Sequence, residues 1–218
     1  MKRSALRRGR FIVLEGLDGA GTTTQTERLA RALREQGVDV LTTREPSDGP
    51  LGTTLRQALT GRLVLRGGAP LAPATLALLF AADRTDHLAS QILPALEAGR
   101  TVICDRYVLS SLAYQGTELS MDWVDTLNAE ALSPDLTVFV EVKPAVASRR
   151  RAIRGGAPEL FEADAQQRKI ARQYQHAIRL RQAREPIVTV DGSALPEAVT
   201  AAILEAVQPL LPRSRKAR

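Results

Sequence analysis

The chain has 218 residues, enough for one domain with a sizeable core, and its 44% apolar and 25% charged residues are ordinary for a globular protein. A single cysteine, Cys104, excludes an intramolecular disulfide and fits a reducing, cytoplasmic setting, and no apolar run is long enough to cross a bilayer. The formal charge of +6 sits at the ends: residues 1–10 and 213–218 carry nine Lys and Arg and no acid, leaving −3 between them, so solvated tails explain the excess and no specific nucleic-acid partner is expected.

In chain order, Phe11–Glu15 reads as a first strand, its apolar run being too short for a signal-peptide core. It runs into Gly16-Leu17-Asp18-Gly19-Ala20-Gly21-Thr22-Thr23-Thr24 and a helical pattern over Thr22–Gln36, closed by Gly37. Gly16 and Gly21 have the spacing of a phosphate-binding P-loop, and Thr23 stands where such a loop keeps its magnesium-binding hydroxyl. The loop's N–H groups and the helix dipole behind them form an anion site. One element departs from the pattern: Thr22 occupies the position of the lysine that reaches the β- and γ-phosphates.

A second strand, Val38–Thr43, leads into Arg44-Glu45-Pro46 and a helix over Leu51–Thr60. A long helix over Pro73–Ala98, ended by Gly99, carries Phe80 and Arg84 four residues apart on one face, where a ring can stack on a pyrimidine while a guanidinium donates to a base carbonyl. A third strand, Thr101–Asp105, precedes Arg106-Tyr107 and Ser110-Ser111-Leu112-Ala113-Tyr114-Gln115-Gly116, with a helical pattern over Asp122–Ala131 beyond. The fourth strand, Thr137–Val142, leads to Arg149-Arg150-Arg151 and Arg154, with a flexible loop over residues 154–158. Helices over Asp164–Arg184 and Pro196–Leu211 flank the last strand, Ile187–Asp191. Strands alternating with helices predict an α/β fold: a five-stranded parallel sheet covered by helices on both faces, with ligands at the carboxyl ends of the strands. Arg44 and Arg106 each follow a strand there and can grip a monophosphate bidentately, with Glu45 and Asp105 as ready ion-pair partners in the alternative reading.

The loop Gly16–Gln25, the Arg44-Glu45-Pro46 triplet, the Phe80…Arg84 pair and the run Asp105-Arg106-Tyr107…Ser110…Ala113-Tyr114-Gln115-Gly116 occur together in an order that resembles the thymidylate kinases. The resemblance spans roughly residues 10–205. It implies a three-layer P-loop kinase domain over 11–212 between basic tails 1–10 and 213–218, with a small lid at about 143–163. The implied reaction is transfer of a phosphoryl group from ATP to dTMP with Mg2+, and a homodimer is implied as well. It places Asp18 at the sugar 3′-hydroxyl, Tyr114 beneath the sugar, Gln115 near base and sugar, Ser110 and Ser111 in the substrate site and Phe161 toward the sugar. Thr23 and Asp105 fall near the metal, and residues Gly16 to Thr24 around the ATP phosphates. With no arginine in the loop, the chain resembles the subgroup whose catalytic arginine lies in the lid, leaving Arg149, Arg150, Arg151 and Arg154 as candidates beside Asp18, Asp105 and Arg106. Two other readings remain open because of Thr22: a nucleotide-binding module with weak or no transfer, and a kinase for another deoxynucleoside monophosphate.

His87 and His176 lack metal-ligand spacing with each other or with Cys104, which reads as a buried structural thiol; Trp123 reads as packing. The turn Asp191-Gly192-Ser193 falls, by topology, where related kinases border the adenine.

Overall fold

A computed structural model describes residues 8–154, 160–161 and 163–211. Five parallel strands are β1 (Phe11–Gly16), β2 (Val40–Arg44), β3 (Thr101–Asp105), β4 (Leu136–Glu141) and β5 (Ile187–Asp191), in the order β2-β3-β1-β4-β5. Every residue of β1 and β3 is buried. Successive side chains point to opposite faces, so burial throughout means that helices cover both sides of the sheet. Leu14 pairs with Asp105 and Gly16 with Val140, which aligns the three central strand ends and sets the residues that follow them at one edge.

The helices are α1 (Thr22–Glu35), α2 (Pro50–Leu59), α3 (Pro73–His87), α4 (Leu93–Glu97), α5 (Val108–Gln115), α6 (Met121–Leu127), α7 (Pro144–Arg154), α8 (Asp164–Arg181) and α9 (Pro196–Val207). On the sheet α1 packs with α9 and α5 packs with α8, while α3 and α6 lie against α5 or each other. The helix expected over Pro73–Ala98 is continuous but carries a π-helical turn, Leu88–Ile92, between α3 and α4. Its cause is local: Leu93 N–H bonds five residues back to Leu88, immediately before Pro94, which has no N–H to donate. Three other helices end three or four residues earlier than expected, α6 at Leu127, α8 at Arg181 and α9 at Val207, the last passing into a 3-10 turn at Gln208–Leu210.

Residues 8–10, expected in the basic tail, belong to the fold. Gly9 is buried, with room for no side chain, since a Cβ there would lie 1.7 Å from the Arg100 carbonyl oxygen. Arg10 donates to Leu210 O and to Asp135. The rest of both tails, and the loop expected at 155–158, lie outside the described residues. Among the described residues no helix is long and apolar enough to cross a membrane.

Candidate active site

The phosphate loop joins β1 to α1 by glycines that hardly tolerate replacement. Gly19 and Gly21 have φ of 89° and 95°, in the left-handed region. A Cβ at Gly19 would sit 2.5 Å from Ala147 O, because α7 lies directly against the loop. The first turn of α1 holds no acid, and Gly21 gives it no side-chain cap, so its N–H groups are left for an anion. Thr22 is buried, with its methyl group folded toward Gly16. Thr23 is exposed and its hydroxyl donates to Asp105 Oδ2 at 2.5 Å. Asp105 Oδ1 is buried without a hydrogen-bond partner. A hydroxyl beside a carboxylate with an unmatched buried oxygen is the donor chemistry of a magnesium site.

Across the strand ends, Arg106 is the one non-glycine residue with positive φ among the described residues, 71°. The Cys104 thiol donates to its carbonyl at 3.1 Å. Its guanidinium donates to Gly16 O at 2.9 Å, Ser110 and Tyr174 hydroxyls at 3.2 Å and Asp18 Oδ1 at 2.6 Å, and lies 5.4 Å from the Tyr114 ring centre. Asp18 Oδ2 accepts from Gln167 at 2.7 Å. Beneath them Glu15 is fully buried and caps α5 from across the sheet, accepting from the N–H groups of Tyr107 and Ser110 and from the hydroxyls of Ser110 and Tyr174. Burial pushes its carboxyl above the usual range, against the opposing pull of those hydrogen bonds and of Arg106.

At the far end, Arg84 is 1% exposed. Its Nε and Nη2 donate to Glu45 Oε2 at 2.9 and 2.6 Å, Nη2 also to Ser111 at 3.1 Å, and Nη1 to Asn128 Oδ1. The guanidinium stacks 4.9 Å from the centre of the Tyr107 ring. Glu45 therefore belongs to Arg84 and is not the ion-pair partner that the alternative reading offered Arg44. Arg44 instead meets Asp48 at 2.8 Å in an exposed ion pair.

A cleft with a cavity volume of about 120 Å³ lies between these groups, lined by Asp18, Glu45, Pro46, Leu59, Phe80, Arg84, Arg106, Tyr107, Ser110, Ser111, Tyr114, Gln115 and Phe161. Nine of the ten residues expected to bind substrate line it; Arg44 is the exception. Tyr107 and Tyr114 hydroxyls and Gln115 Oε1, all buried, have no hydrogen-bond partner. Burial pushes both phenols well up, so both stay available as donors. Unmatched polar atoms around an open cleft call for a polar ligand.

On the loop's outer side α7 presents the arginine run. Arg149 is exposed; Arg150 donates to Ala20 O at 3.3 Å; Arg151 donates to Asp18 O at 2.7 Å and pairs with Asp164 at 2.9 Å. The side chain of Arg154 lies outside the described residues. Glu15, Tyr174, Gln167 and Asn128 were not singled out from sequence, because each acts through partners far away in the chain. Cys104 is buried and free, Trp123 is 38% exposed, and no metal-holding cluster of His, Cys, Asp and Glu occurs among the described residues.

A glycine loop between a strand and a helix, with a hydroxyl–carboxylate pair beside it and a polar cleft at the same sheet edge, defines the P-loop class of nucleotide-handling proteins. The thymidylate kinase family model matches residues 14–203. A thymidylate kinase of Thermomicrobium roseum is 41% identical over 212 residues, 94% of this chain and 98% of its own length. One from Rhizorhabdus wittichii is 40% identical over 94% of this chain and 99% of its own length, and a "Probable thymidylate kinase" of Pyrococcus abyssi is 44% identical over 77% and 82%. The chain belongs to the thymidylate kinase family.

Proposed function

We propose that the chain transfers the γ-phosphoryl group of ATP to dTMP, giving dTDP and ADP. The observation that carries this reading is the pairing, in one cleft, of a buried Arg84 with one N–H left over and a buried Gln115 Oε1 that lacks a donor. A thymine edge offers the complement, a carbonyl acceptor beside an N–H donor, with Phe80 supplying a stacking face. Cytosine carries an amino group where thymine has its 4-carbonyl and would set donor against donor at Arg84.

In this reading Asp18, held by Arg106 and Gln167, faces the sugar 3′-hydroxyl, and Tyr114 occupies the space a 2′-hydroxyl would need. Ser110, Ser111 and Phe161 complete the walls, and Arg106 holds the acceptor phosphate with Arg44 assisting from the rim. A phosphate oxygen of dTMP attacks the γ-phosphorus, the bond to the bridging oxygen breaks, and ADP leaves. Residues Gly16 to Thr24 cradle the ATP phosphates through backbone N–H groups. Thr23 and Asp105 would hold Mg2+, which neutralises charge on the phosphates when bound. Arg150 supplies the cation that Thr22 does not, since it reaches the loop through one long bond while Arg151 is anchored at both ends. The turn after β5, where Ser193 bonds Asp191 and pulls its carboxyl below the usual range, borders the adenine.

Self-association is part of the reading. Leu78 and Leu93, 52% and 38% exposed, lie on the helix that backs the cleft, and sedimentation velocity tests for a dimer. The function itself is tested by ADP release with each nucleoside monophosphate in turn. Turnover is expected with dTMP far above dCMP and the ribonucleotides. Turnover with none would leave a binding module, and preference for another deoxynucleotide would rename the acceptor.

A further inference from the structure

We infer that Asn128 is a positioning residue for base recognition: it fixes the Arg84 guanidinium so that a single N–H faces the cleft. The inference rests on the base-reading role proposed for Arg84. A guanidinium carries five N–H donors. Glu45 takes two of Arg84's, Ser111 a third and Asn128 a fourth, which leaves one on Nη1. Glu45 grips only the Nε–Nη2 edge, through one oxygen, and such an edge-on pair allows the plane to pivot. Asn128 holds the opposite end.

The orientation of Asn128 is itself determined. Its Nδ2 donates to Val124 O at 2.8 Å, so Oδ1 must face Arg84. It is 4% exposed and does not line the cleft, so any effect on substrate passes through Arg84. It follows the last residue of α6, whose Asp125 accepts from Arg181 and Arg184, both at 2.8 Å. That double bond to the α8 side anchors the short helix carrying Asn128. Without the Asn128 acceptor, Nη1 would hold two unmatched buried donors, and the guanidinium would turn to find a partner or admit water.

The test combines Asn128→Ala, Arg84→Lys and the double variant, with steady-state kinetics for dTMP and ATP. Arg84→Lys keeps a cation opposite Glu45 but abolishes the planar fork. Asn128→Ala is expected to raise KM for dTMP about tenfold, the partial loss of a charge-assisted hydrogen bond, with kcat and KM for ATP within about twofold of the parent. In the Arg84→Lys background the same change should add nothing. Asn128→Ser, whose hydroxyl can still reach Val124 O but not Arg84, should repeat the effect if the alanine variant does not fold. Equal losses in kcat and ATP affinity, or full additivity with Arg84→Lys, would mean a general packing role and overturn the inference. A raised KM in Arg84→Lys with an unchanged KM in Asn128→Ala overturns it alone. An unchanged KM in Arg84→Lys removes the base-reading role beneath it.

Discussion

The acceptor cleft and the phosphate loop share one sheet edge but hold their charges differently. In the cleft the cations meet acids before any ligand arrives: Arg84 with Glu45 at 3% side-chain exposure, Arg106 with Asp18, and neutral hydroxyls or amides fill the remaining positions. The phosphate loop itself holds no lysine, Thr22 is tucked inward, and Arg150 of α7 contacts a backbone carbonyl, Ala20 O, beside an Arg151 that is already paired with Asp164. A partnered buried charge is held in place, which suits recognition of a fixed outline. A cation that rests on a carbonyl has an anion still to gain, which suits charge that develops during transfer.

The largest effect that would break this contrast is at Arg150. If it replaces the loop lysine, Arg150→Ala should lower kcat by roughly 10³, at the lower end of the range for arginines that stabilise phosphoryl transfer. Thr22→Lys should change turnover no more than about threefold, because the role is filled. A parent inactive with every monophosphate, together with a Thr22→Lys variant that turns over, would show instead that the loop is simply deficient.

Next comes Arg84. Arg84→Ala should raise KM for dTMP by about one to two decades and leave ATP affinity unchanged. The same change strands Glu45 in the interior, so a urea melt should record a loss of about 3 kcal/mol or more. Destabilisation without a change in KM would make the pair purely structural and erase half of the contrast.

A smaller effect is expected at Tyr114, whose ring lies between Arg106 and Phe161, 5.5 Å from the latter. Tyr114→Ala should narrow the preference for dTMP over its ribose analogue by about tenfold, as expected for a pocket wall that excludes one hydroxyl. Tyr114→Phe should change stability only slightly, because the hydroxyl it removes makes no hydrogen bond of ordinary geometry and interacts only weakly with Asp18 and Gln167. Equal specificity ratios in the alanine variant and the parent would place sugar discrimination elsewhere.

These residues could be found from sequence because local spacing marks them: glycines five apart in the loop, Phe80 and Arg84 one helical turn apart, and Asp105-Arg106 at a strand end. Their partners could not. Glu45 and Asn128 reach Arg84 from 39 and 44 residues away, and Tyr174 reaches Glu15 from 159. A residue that only completes another's hydrogen bonds leaves no periodic or spacing signal. Helix α5 escaped for a related reason. All its residues but Ser110 are buried, so no polar face sets up a helical period, and Glu15 from β1 caps its start. Helix α7 has the opposite defect, a run of arginines whose packing against Gly19 cannot be seen without the loop.

The smallest effect is expected at Arg44, and it bears on where the rigid cleft ends. Arg44 closes β2 in register with Asp105, at the right edge of the sheet, yet its guanidinium points to Asp48 in an ion pair whose side chains are 59% and 75% exposed. That carboxyl is held below its usual range by Arg44, so the pair is formed at neutral pH. An exposed pair of this kind contributes about 0–1 kcal/mol, so Arg44→Ala should leave the urea midpoint in place. To grip a monophosphate, Arg44 must give up Asp48 and order a long side chain, which cancels much of what the phosphate offers. KM for dTMP should therefore rise only about threefold, a fraction of one charge-assisted bond. A rise of thirtyfold or more would mean that substrate draws Arg44 inward as a principal ligand. The cleft would then share with the phosphate loop the trait that now separates them, a cation that finds its anion only when substrate is bound.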